Sequence, residues 1–201
     1  MQETVAAAII RYSEWDGSVP LYDPMCGSGT LLAEALMHYC RIPSAMLRRH
    51  FGFEHLPDYK KSAWIKVKKG LDANIRALPD GLISGSDSSE SAVNIAAGNL
   101  GVLKYGSQIK LRTLDFNRSR GIENAVIVTN PPYGIRMGKR ETLDAFYKSF
   151  GDFLKQRCKG STAYIYFGER ELIKSIGLKP AWKKPLKTGG LDGRLAKYEM
   201  F

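Results

Sequence analysis

Residues 19–30 read Val-Pro-Leu-Tyr-Asp-Pro-Met-Cys-Gly-Ser-Gly-Thr, and an apolar run from Thr30 to Cys40 follows directly. The first five residues are typical of a short β-strand and the apolar run of a helix, so the glycines occupy the turn between the two. Gly27 and Gly29 lack a Cβ, which allows the backbone to turn sharply and to lie close to a ligand. The stretch therefore predicts a strand–turn–helix unit with a binding site at the carboxyl end of the strand.

The rest of the chain continues the alternation of β-rich runs and helical patterns. Such alternation predicts an α/β fold with a doubly wound, mostly parallel sheet covered by helices. Glycines at 189, 190 and 193 interrupt a β-rich tail, which predicts a terminal antiparallel hairpin at the sheet edge. We expect strands at 82–87, 109–115, 125–129 and 161–168, helices at 5–12, 91–101 and 141–158, and a short helix at 172–177.

Length and charge limit the possible partners. The 201 residues, 44% of them hydrophobic, suit a single domain over residues 1–201. The net charge of +10 is concentrated: residues 41–76 carry nine Lys/Arg against three acids, and residues 170–201 carry eight against three. The first segment belongs to a helix-rich basic excursion at about 42–80. A solvated surface would also explain lysines, but two basic segments beside a near-neutral remainder favour a polyanionic partner.

Other classes of protein find no support in the sequence. No stretch approaches the roughly 20 uncharged apolar residues of a membrane-spanning helix, so we expect no membrane partner. Cys26, Cys40 and Cys158 are scattered and form neither a disulfide framework nor a CxxC metal pair. This pattern predicts no metal, and together with an opening that lacks a secretory signature it predicts a cytoplasmic protein.

The glycine turn indicates which cofactor binds. Leu32 stands where the dinucleotide fingerprint has its third glycine, and a cofactor without a pyrophosphate does not need that glycine. The turn therefore favours S-adenosylmethionine over NAD, with an ordinary tight turn as the alternative. The predicted contacts from the turn and its flanks are Asp23, Pro24, Cys26, Gly27, Ser28, Gly29 and Thr30.

Two further strands are expected to end in acidic residues. Asp87, with Ser88 beside it, is placed to accept hydrogen bonds from ribose hydroxyls. Asp115 is placed to accept from an adenine amino group, while Phe116 packs against the base. Each aspartate could instead be a helix cap or a turn residue.

Asn130-Pro131-Pro132-Tyr133 follows the apolar strand at 125–129 and suggests the chemistry. An exocyclic amine on a base is a poor nucleophile because its lone pair is delocalised into the ring. The Asn130 side chain and the Pro131 backbone each supply a carbonyl that could localise that lone pair, and the proline pair fixes the direction of the second one. Tyr133 offers a face for stacking an extruded base. We therefore predict Asn130, Pro131, Pro132 and Tyr133 as catalytic residues, with Asn130 also beside the cofactor; a proline-rich turn is the alternative.

These motifs together resemble one family, the THUMP-associated guanosine-N2 methyltransferases of 23S rRNA and tRNA, which have also been described as N6-adenine DNA methylases. The resemblance covers nearly the whole chain. It implies a Rossmann-like class I methyltransferase fold, S-adenosylmethionine as cofactor, RNA as partner, and Thr4 near the amino-acid end of the cofactor. The residues that carry it are 3–7, 23–30, 51–54, Ser86-Asp87, 130–134 with Arg136, and 190–195.

The sequence departs from the family pattern at its tail. Residues 187–190 read Lys-Thr-Gly-Gly where the family usually has an Asn-Gly pair, and Gly193 stands where a cysteine is common. These differences bear on substrate contacts. Because Asn-Pro-Pro-Tyr also occurs in DNA-adenine and protein-glutamine methyltransferases, those activities remain alternatives, as does an inactive RNA-binding module. The family normally carries an RNA-binding THUMP module upstream, and we expect one to precede Met1 in the complete protein.

Overall fold

The computed structural model describes residues 1–133, 140–189 and 192–201. Five α-helices and seven strands lie within these ranges. The helices are α1 (Glu3–Tyr12), α2 (Thr30–Cys40), α3 (Lys61–Ala73), α4 (Glu90–Gly101) and α5 (Arg140–Arg157), and the strands are β1 (Leu21–Asp23), β2 (Ile83–Asp87), β3 (Lys110–Thr113), β4 (Val126–Thr129), β5 (Thr162–Phe167), β6 (Trp182–Pro185) and β7 (Arg194–Glu199). None of the described helices is both long and apolar enough to cross a membrane.

The strands form one sheet in the order β3-β2-β1-β4-β5-β7-β6. Strands β1 to β5 are parallel, whereas β7 runs antiparallel to both β5 and β6. Leu21 of β1 pairs with Ile83 on one side and Val126 on the other. The chain therefore moves outward from β1 to β3 and then returns to the other side of β1, which opens a crevice at the carboxyl ends of β1 and β4. The predicted fold class is confirmed, including the terminal hairpin.

The core lies on both faces of the sheet because successive strand residues point to opposite sides. In β5, Tyr164 and Tyr166 belong to the apolar cluster that includes residues of α1, α2 and α4, while Ala163, Ile165 and Phe167 belong to the cluster that includes residues of α5. This two-sided cover explains why β4 and β5 are apolar along nearly their whole length.

Most predicted elements form within two residues of their expected ends, but the short helix predicted at 172–177 was wrong. The chain forms a 3-10 turn at Arg170–Ile173 instead. The backbone N–H groups of Leu172 and Ser175 donate to the carbonyls three residues earlier, which is the tighter 3-10 pattern. Gly177 then has φ +69°, which ends any helical continuation.

The basic excursion (residues 42–80) packs on itself in its middle part, whereas Ile42 and Leu78 near its ends are buried in the core of the domain. Four aromatic residues, Phe51, Phe53, Tyr59 and Trp64, form a local cluster in which Trp64 lies 5.1 Å from Phe51 and 5.0 Å from Phe53 between ring centroids. The excursion is anchored at its end, where the Arg76 guanidinium lies 3.8 Å from the Tyr39 ring centroid. Its helix α3 has no buried residue.

Candidate functional site

A cavity of about 690 Å³ opens at the carboxyl ends of the parallel strands. Every residue predicted for the site lines it except Thr4 and Gly29. The residues that line it are Asp23, Pro24, Cys26, Gly27, Ser28, Thr30, Asp87, Ser88, Asp115, Phe116, Asn130, Pro131, Pro132 and Tyr133, together with Met1, Met25, Leu31, Asn117 and Phe146. Gly134 and Arg136, which supported the family resemblance, lie outside the described residues, as do Gly190 and Leu191.

Thr4 and Gly29 are not among the residues that line the cavity. Thr4 is exposed in the first turn of α1. Gly29 precedes α2 with φ +80°, and a Cβ added there would lie 3.1 Å from the Cβ of Ala96. The missing side chain of Gly29 thus allows α2 to pack closely on α4, and a cofactor contact for either residue stays a prediction.

Gly27 forms the open part of the turn after β1. It has φ +52°, and an added Cβ would meet no atom of the described residues within 4 Å. Two hydrogen bonds connect the turn to the end of β2. The Cys26 N–H donates to the Ser86 carbonyl at 2.8 Å, and the Gly27 N–H donates to Asp87 Oδ2 at 2.9 Å. The backbone therefore presents a bare surface to the cavity in a fixed position.

Asp87 links this turn to the next helix. Its Oδ1 accepts the Ser89 N–H at 3.0 Å, while Oδ2 holds Gly27. An ionised carboxylate has about four acceptor sites, so two of them remain for the hydroxyls of a ribose. Asp87 can thus both shape the glycine turn and bind a nucleoside.

Asp115 and Phe116 supply the wall on the β3 side. Asp115 Oδ1 accepts the Asn117 N–H at 2.8 Å, which holds the carboxylate at the start of a 3-10 turn. The Phe116 ring is 4% exposed and meets Phe146 edge to face, with centroids 5.6 Å apart. A rigid aromatic wall beside a carboxylate suits a flat base that carries an amino group.

The Asn-Pro-Pro-Tyr segment follows β4 on the other side of the crevice. Asn130 Oδ1 is buried and has no hydrogen-bond partner among the described residues. A buried acceptor without a partner costs about 1–3 kcal/mol, so a donor is expected to reach it when the site is filled. Tyr133 lies beside Tyr166, with ring centroids 6.4 Å apart, and an added Cβ on Gly168 would lie 2.5 Å from the Tyr133 ring.

Burial changes the acid–base chemistry of the cavity floor. Asp23 is 1% exposed, and its pKa is raised to about 7, mainly by burial and to a smaller extent by the charge of Asp87. The Met25 N–H and the Thr129 side chain act in the opposite direction. Burial, followed by the charges of Asp23 and Asp87, also raises the pKa of Cys26 to about 12. Cys26 is therefore a neutral thiol at physiological pH and is not an activated nucleophile.

The cavity is also lined by residues that were not predicted from the sequence. Asn117 and Met25 adjoin predicted residues and could have been included by proximity. Phe146 belongs to α5, and only the packing of α5 against Phe116 brings it to the cavity. In the described part of the chain, no group of three or more His, Cys, Asp or Glu side chains is placed to hold a metal ion.

The sequence model of the family UPF0020, the RMKL-like methyltransferase domains, matches residues 1–197 of this chain. The chain belongs to this family. The resemblance seen in the motifs is confirmed, and so is the class of reaction, which is methyl transfer. The match spans the glycine turn, the basic excursion and the terminal hairpin.

Relatives of this RMKL-like domain extend beyond it. "Putative RNA methyltransferase slr0064" of Synechocystis sp. is 35% identical over 202 residues, covering 100% of this chain and 53% of the relative. The ribosomal RNA large subunit methyltransferase K/L of Vibrio campbellii is also 35% identical, with 100% of this chain and 29% of the relative covered. The chain thus spans about half the length, or less, of these relatives.

A solved relative has the same fold and was crystallised with a ligand. SMU.472, crystallised in complex with SAH, has a TM-score of 0.88 and 28% identity over 99% of this chain and 52% of its own. SAH is what remains of S-adenosylmethionine after methyl transfer, so the cofactor predicted from the sequence is confirmed. The cavity described above fits that molecule: it has a bare turn at Gly27, a carboxylate for the ribose at Asp87, and an aromatic wall at Phe116.

Proposed function

We propose that this domain transfers the methyl group of S-adenosylmethionine to an exocyclic amino group of an RNA base, with guanosine N2 of 23S rRNA or tRNA as the target, in the cytoplasm. The observation that carries the proposal is the buried Oδ1 of Asn130, which has no hydrogen-bond partner in the described part of the chain and belongs to a residue lining the same cavity as the cofactor turn. An acceptor in that position suits an incoming N–H donor, and an exocyclic amine is such a donor.

Each residue of the Asn-Pro-Pro-Tyr segment that contacts the substrate has its own role in the proposed reaction. Asn130 Oδ1 and the Pro131 carbonyl accept the two hydrogens of the target amine, so its lone pair is localised and directed toward the cofactor. Tyr133 stacks on the base; such contacts are worth about 1–3 kcal/mol. Bound S-adenosylmethionine supplies the electrophilic methyl group. The amine loses its proton readily after transfer, so the chain needs no general base with a perturbed pKa, and positioning provides most of the acceleration.

RNA as the substrate is supported by charge and by the relatives. Residues 41–76 and 170–201 carry most of the excess of Lys and Arg. Neutralising phosphates provides affinity that does not depend on sequence. The two relatives at 35% identity are named as methyltransferases of RNA and of ribosomal RNA.

The test compares Asn130→Ala with the wild-type protein on total RNA, with mass analysis of the product nucleosides. We expect N2-methylguanosine from the wild type and a rate about 100-fold lower or more from the variant. S-adenosylmethionine affinity, measured by calorimetry, should stay nearly unchanged. A methylated adenine, or a variant as fast as the wild type, would contradict the proposal.

Tyr133 provides a second test of the same mechanism. Tyr133→Phe should be mild because the stacking face remains, whereas Tyr133→Ala should be severe. The opposite order of methyl-transfer rates would show that the hydroxyl, and not the ring, contacts the substrate.

We also propose that residues 1–201 form one catalytic domain that works with an upstream RNA-binding module. A second contact point tethered to the domain can improve overall affinity by about 10²–10⁴ through effective concentration alone. This chain should therefore bind S-adenosylmethionine well but methylate RNA slowly, compared at matched salt with a protein that includes the upstream module. Equal, site-specific activity of the two proteins would disprove the need for the module.

A further inference from the structure

Tyr147 connects the core of the domain to the Asn-Pro-Pro-Tyr segment. Its side chain is fully buried on α5 and stacks on Phe167 of β5, with ring centroids 5.5 Å apart and planes 27° apart. The Tyr147 hydroxyl donates a hydrogen bond to the Pro132 carbonyl at 3.1 Å. Because a helix and a strand hold the ring, the hydroxyl is a fixed point from which the segment is held.

The backbone of the Asn-Pro-Pro-Tyr segment has little conformational freedom even without that hydrogen bond. The rings of Pro131 and Pro132 fix φ at both residues. Asn130 and Pro131 each precede a proline, which restricts their ψ angles to the extended region. Within the proline pair, ψ of Pro132 is the angle that stays free. It sets the plane of the Pro132–Tyr133 peptide, and the Pro132 carbonyl that Tyr147 holds is part of that plane.

Tyr133 takes its position from the same peptide. Its ring lies against the backbone of Gly168, where an added Cβ would come within 2.5 Å, and beside the Tyr166 ring. The segment is thus held at two places: the Pro132 carbonyl by Tyr147, and the Tyr133 ring by Gly168. Tyr147 belongs to α5 and Gly168 directly follows β5, so both contacts come from elements that pack in the core.

We propose that Tyr147 is a positioning residue for methyl transfer, which fixes ψ of Pro132, the angle left free in the proline pair, through its hydrogen bond to the Pro132 carbonyl. It touches neither cofactor nor base; it acts through Pro132 and Tyr133. Burial raises the pKa of Tyr147 well above the ordinary tyrosine value, so its hydroxyl stays protonated and remains a donor at physiological pH. That the reaction is methyl transfer to a base rests on the proposed function. That Tyr147 holds the Asn-Pro-Pro-Tyr segment does not depend on it.

The experiment compares two tyrosine-to-phenylalanine variants. Tyr147→Phe keeps the stacked ring and removes the bond to Pro132. Tyr198→Phe is the matched control, because Tyr198 on β7 is also buried and its hydroxyl has no partner among the described residues. We expect the single-turnover rate to fall about tenfold in Tyr147→Phe, the equivalent of one hydrogen bond, with the dissociation constant of S-adenosylmethionine within about twofold of wild type. Tyr198→Phe should change neither quantity.

Hydrogen exchange at the Tyr133 amide gives a readout without substrate. It should be faster in Tyr147→Phe than in the wild type and in Tyr198→Phe. Unchanged exchange at Tyr133, equal losses of rate in the two variants, or a parallel loss of cofactor affinity would each overturn the proposal. If the wild type transfers no methyl group to RNA, the proposed function fails, and exchange at Tyr133 still decides whether Tyr147 holds the segment.

Discussion

Helices α2 and α3 are similar in length but differ in what they bury. α2 has 11 residues and buries five of them, Leu31, Leu32, Ala35, Leu36 and Cys40. α3 has 13 residues and buries none, and it carries Lys61, Lys66, Lys68 and Lys69. Packing in the core therefore fixes α2 and with it the cofactor turn that precedes it. The sequence of α3 is under no such constraint, so its lysines are available to a partner.

The largest difference between the two helices should appear in stability. Leu36→Ala removes a fully buried side chain and should lower the free energy of unfolding by about 2–5 kcal/mol. Leu71→Ala, at a position 45% exposed on α3, should change it by less than about 0.5 kcal/mol. Urea denaturation of both variants measures the contrast. Equal losses would show that α3 is part of the core.

The second contrast is in how the free energy of unfolding depends on pH, for a buried aspartate near α2 and an exposed one on α3. The pKa of Asp23 is about 7 in the folded protein against 3.8 as its ordinary value, so the unfolded chain loses this proton first as the pH rises. Asp23 therefore lowers stability progressively between about pH 4 and 7, and the loss is complete above about pH 7. Asp23→Asn should gain stability relative to wild type across that range, by up to a few kcal/mol.

Denaturation at several pH values checks this prediction. Asp72→Asn, at an exposed position on α3, is the matched control for the loss of one carboxylate. If the Asp23→Asn curve is parallel to that of the wild type, burial does not affect the ionisation of Asp23.

Substitutions of two glycines just before α2 should distinguish an effect on cofactor binding from an effect on helix packing. Gly27→Ala places a methyl group in the open cavity and should weaken S-adenosylmethionine binding. Gly29→Ala brings a Cβ to 3.1 Å from that of Ala96 and should instead lower stability more. Both have positive φ, which costs an alanine roughly 1–2 kcal/mol in either case. Calorimetry and thermal melting of the two variants test the distinction; the prediction fails if Gly29→Ala loses more cofactor affinity than Gly27→Ala.

The smallest effect on the fold is expected from the charges of α3. Replacing Lys66, Lys68 and Lys69 with Gln should leave melting and cofactor affinity unchanged. It should weaken RNA binding and reduce the dependence of log K on log salt by up to about 0.7–0.9 for each phosphate that the variant no longer neutralises. Filter binding over a salt series measures the slope. An unchanged slope would place the RNA elsewhere, for example against residues 170–201.

Local patterns predicted the parts of the molecule that depend on local physics. The helix at Thr30–Cys40 was predicted to the residue because an apolar run begins directly after Gly29. Asp87 ends β2 as predicted, whereas β3 ends at Thr113, so Asp115 instead begins the 3-10 turn that follows the strand. Phe146 and Tyr147 could not be found this way. They look like ordinary core residues of an amphipathic helix, and only its packing against Phe116 and Pro132 gives them a place near the site. The wide exposure of α3 was also not evident, because a helix with aromatic neighbours usually buries one face.

The two edges of the sheet have a consequence for self-association. β3 presents Arg112, and β6 presents Lys183, Lys184 and Pro185, along the two strands that lie at the edges of the sheet formed by the described residues. An open edge can add a strand from another molecule, which is how folded proteins begin to aggregate. Like charges repel a second copy that approaches edge to edge, and the proline at 185 removes one of the N–H donors that such pairing would use. The cationic character of this domain therefore also opposes strand-by-strand polymerisation when the protein is concentrated.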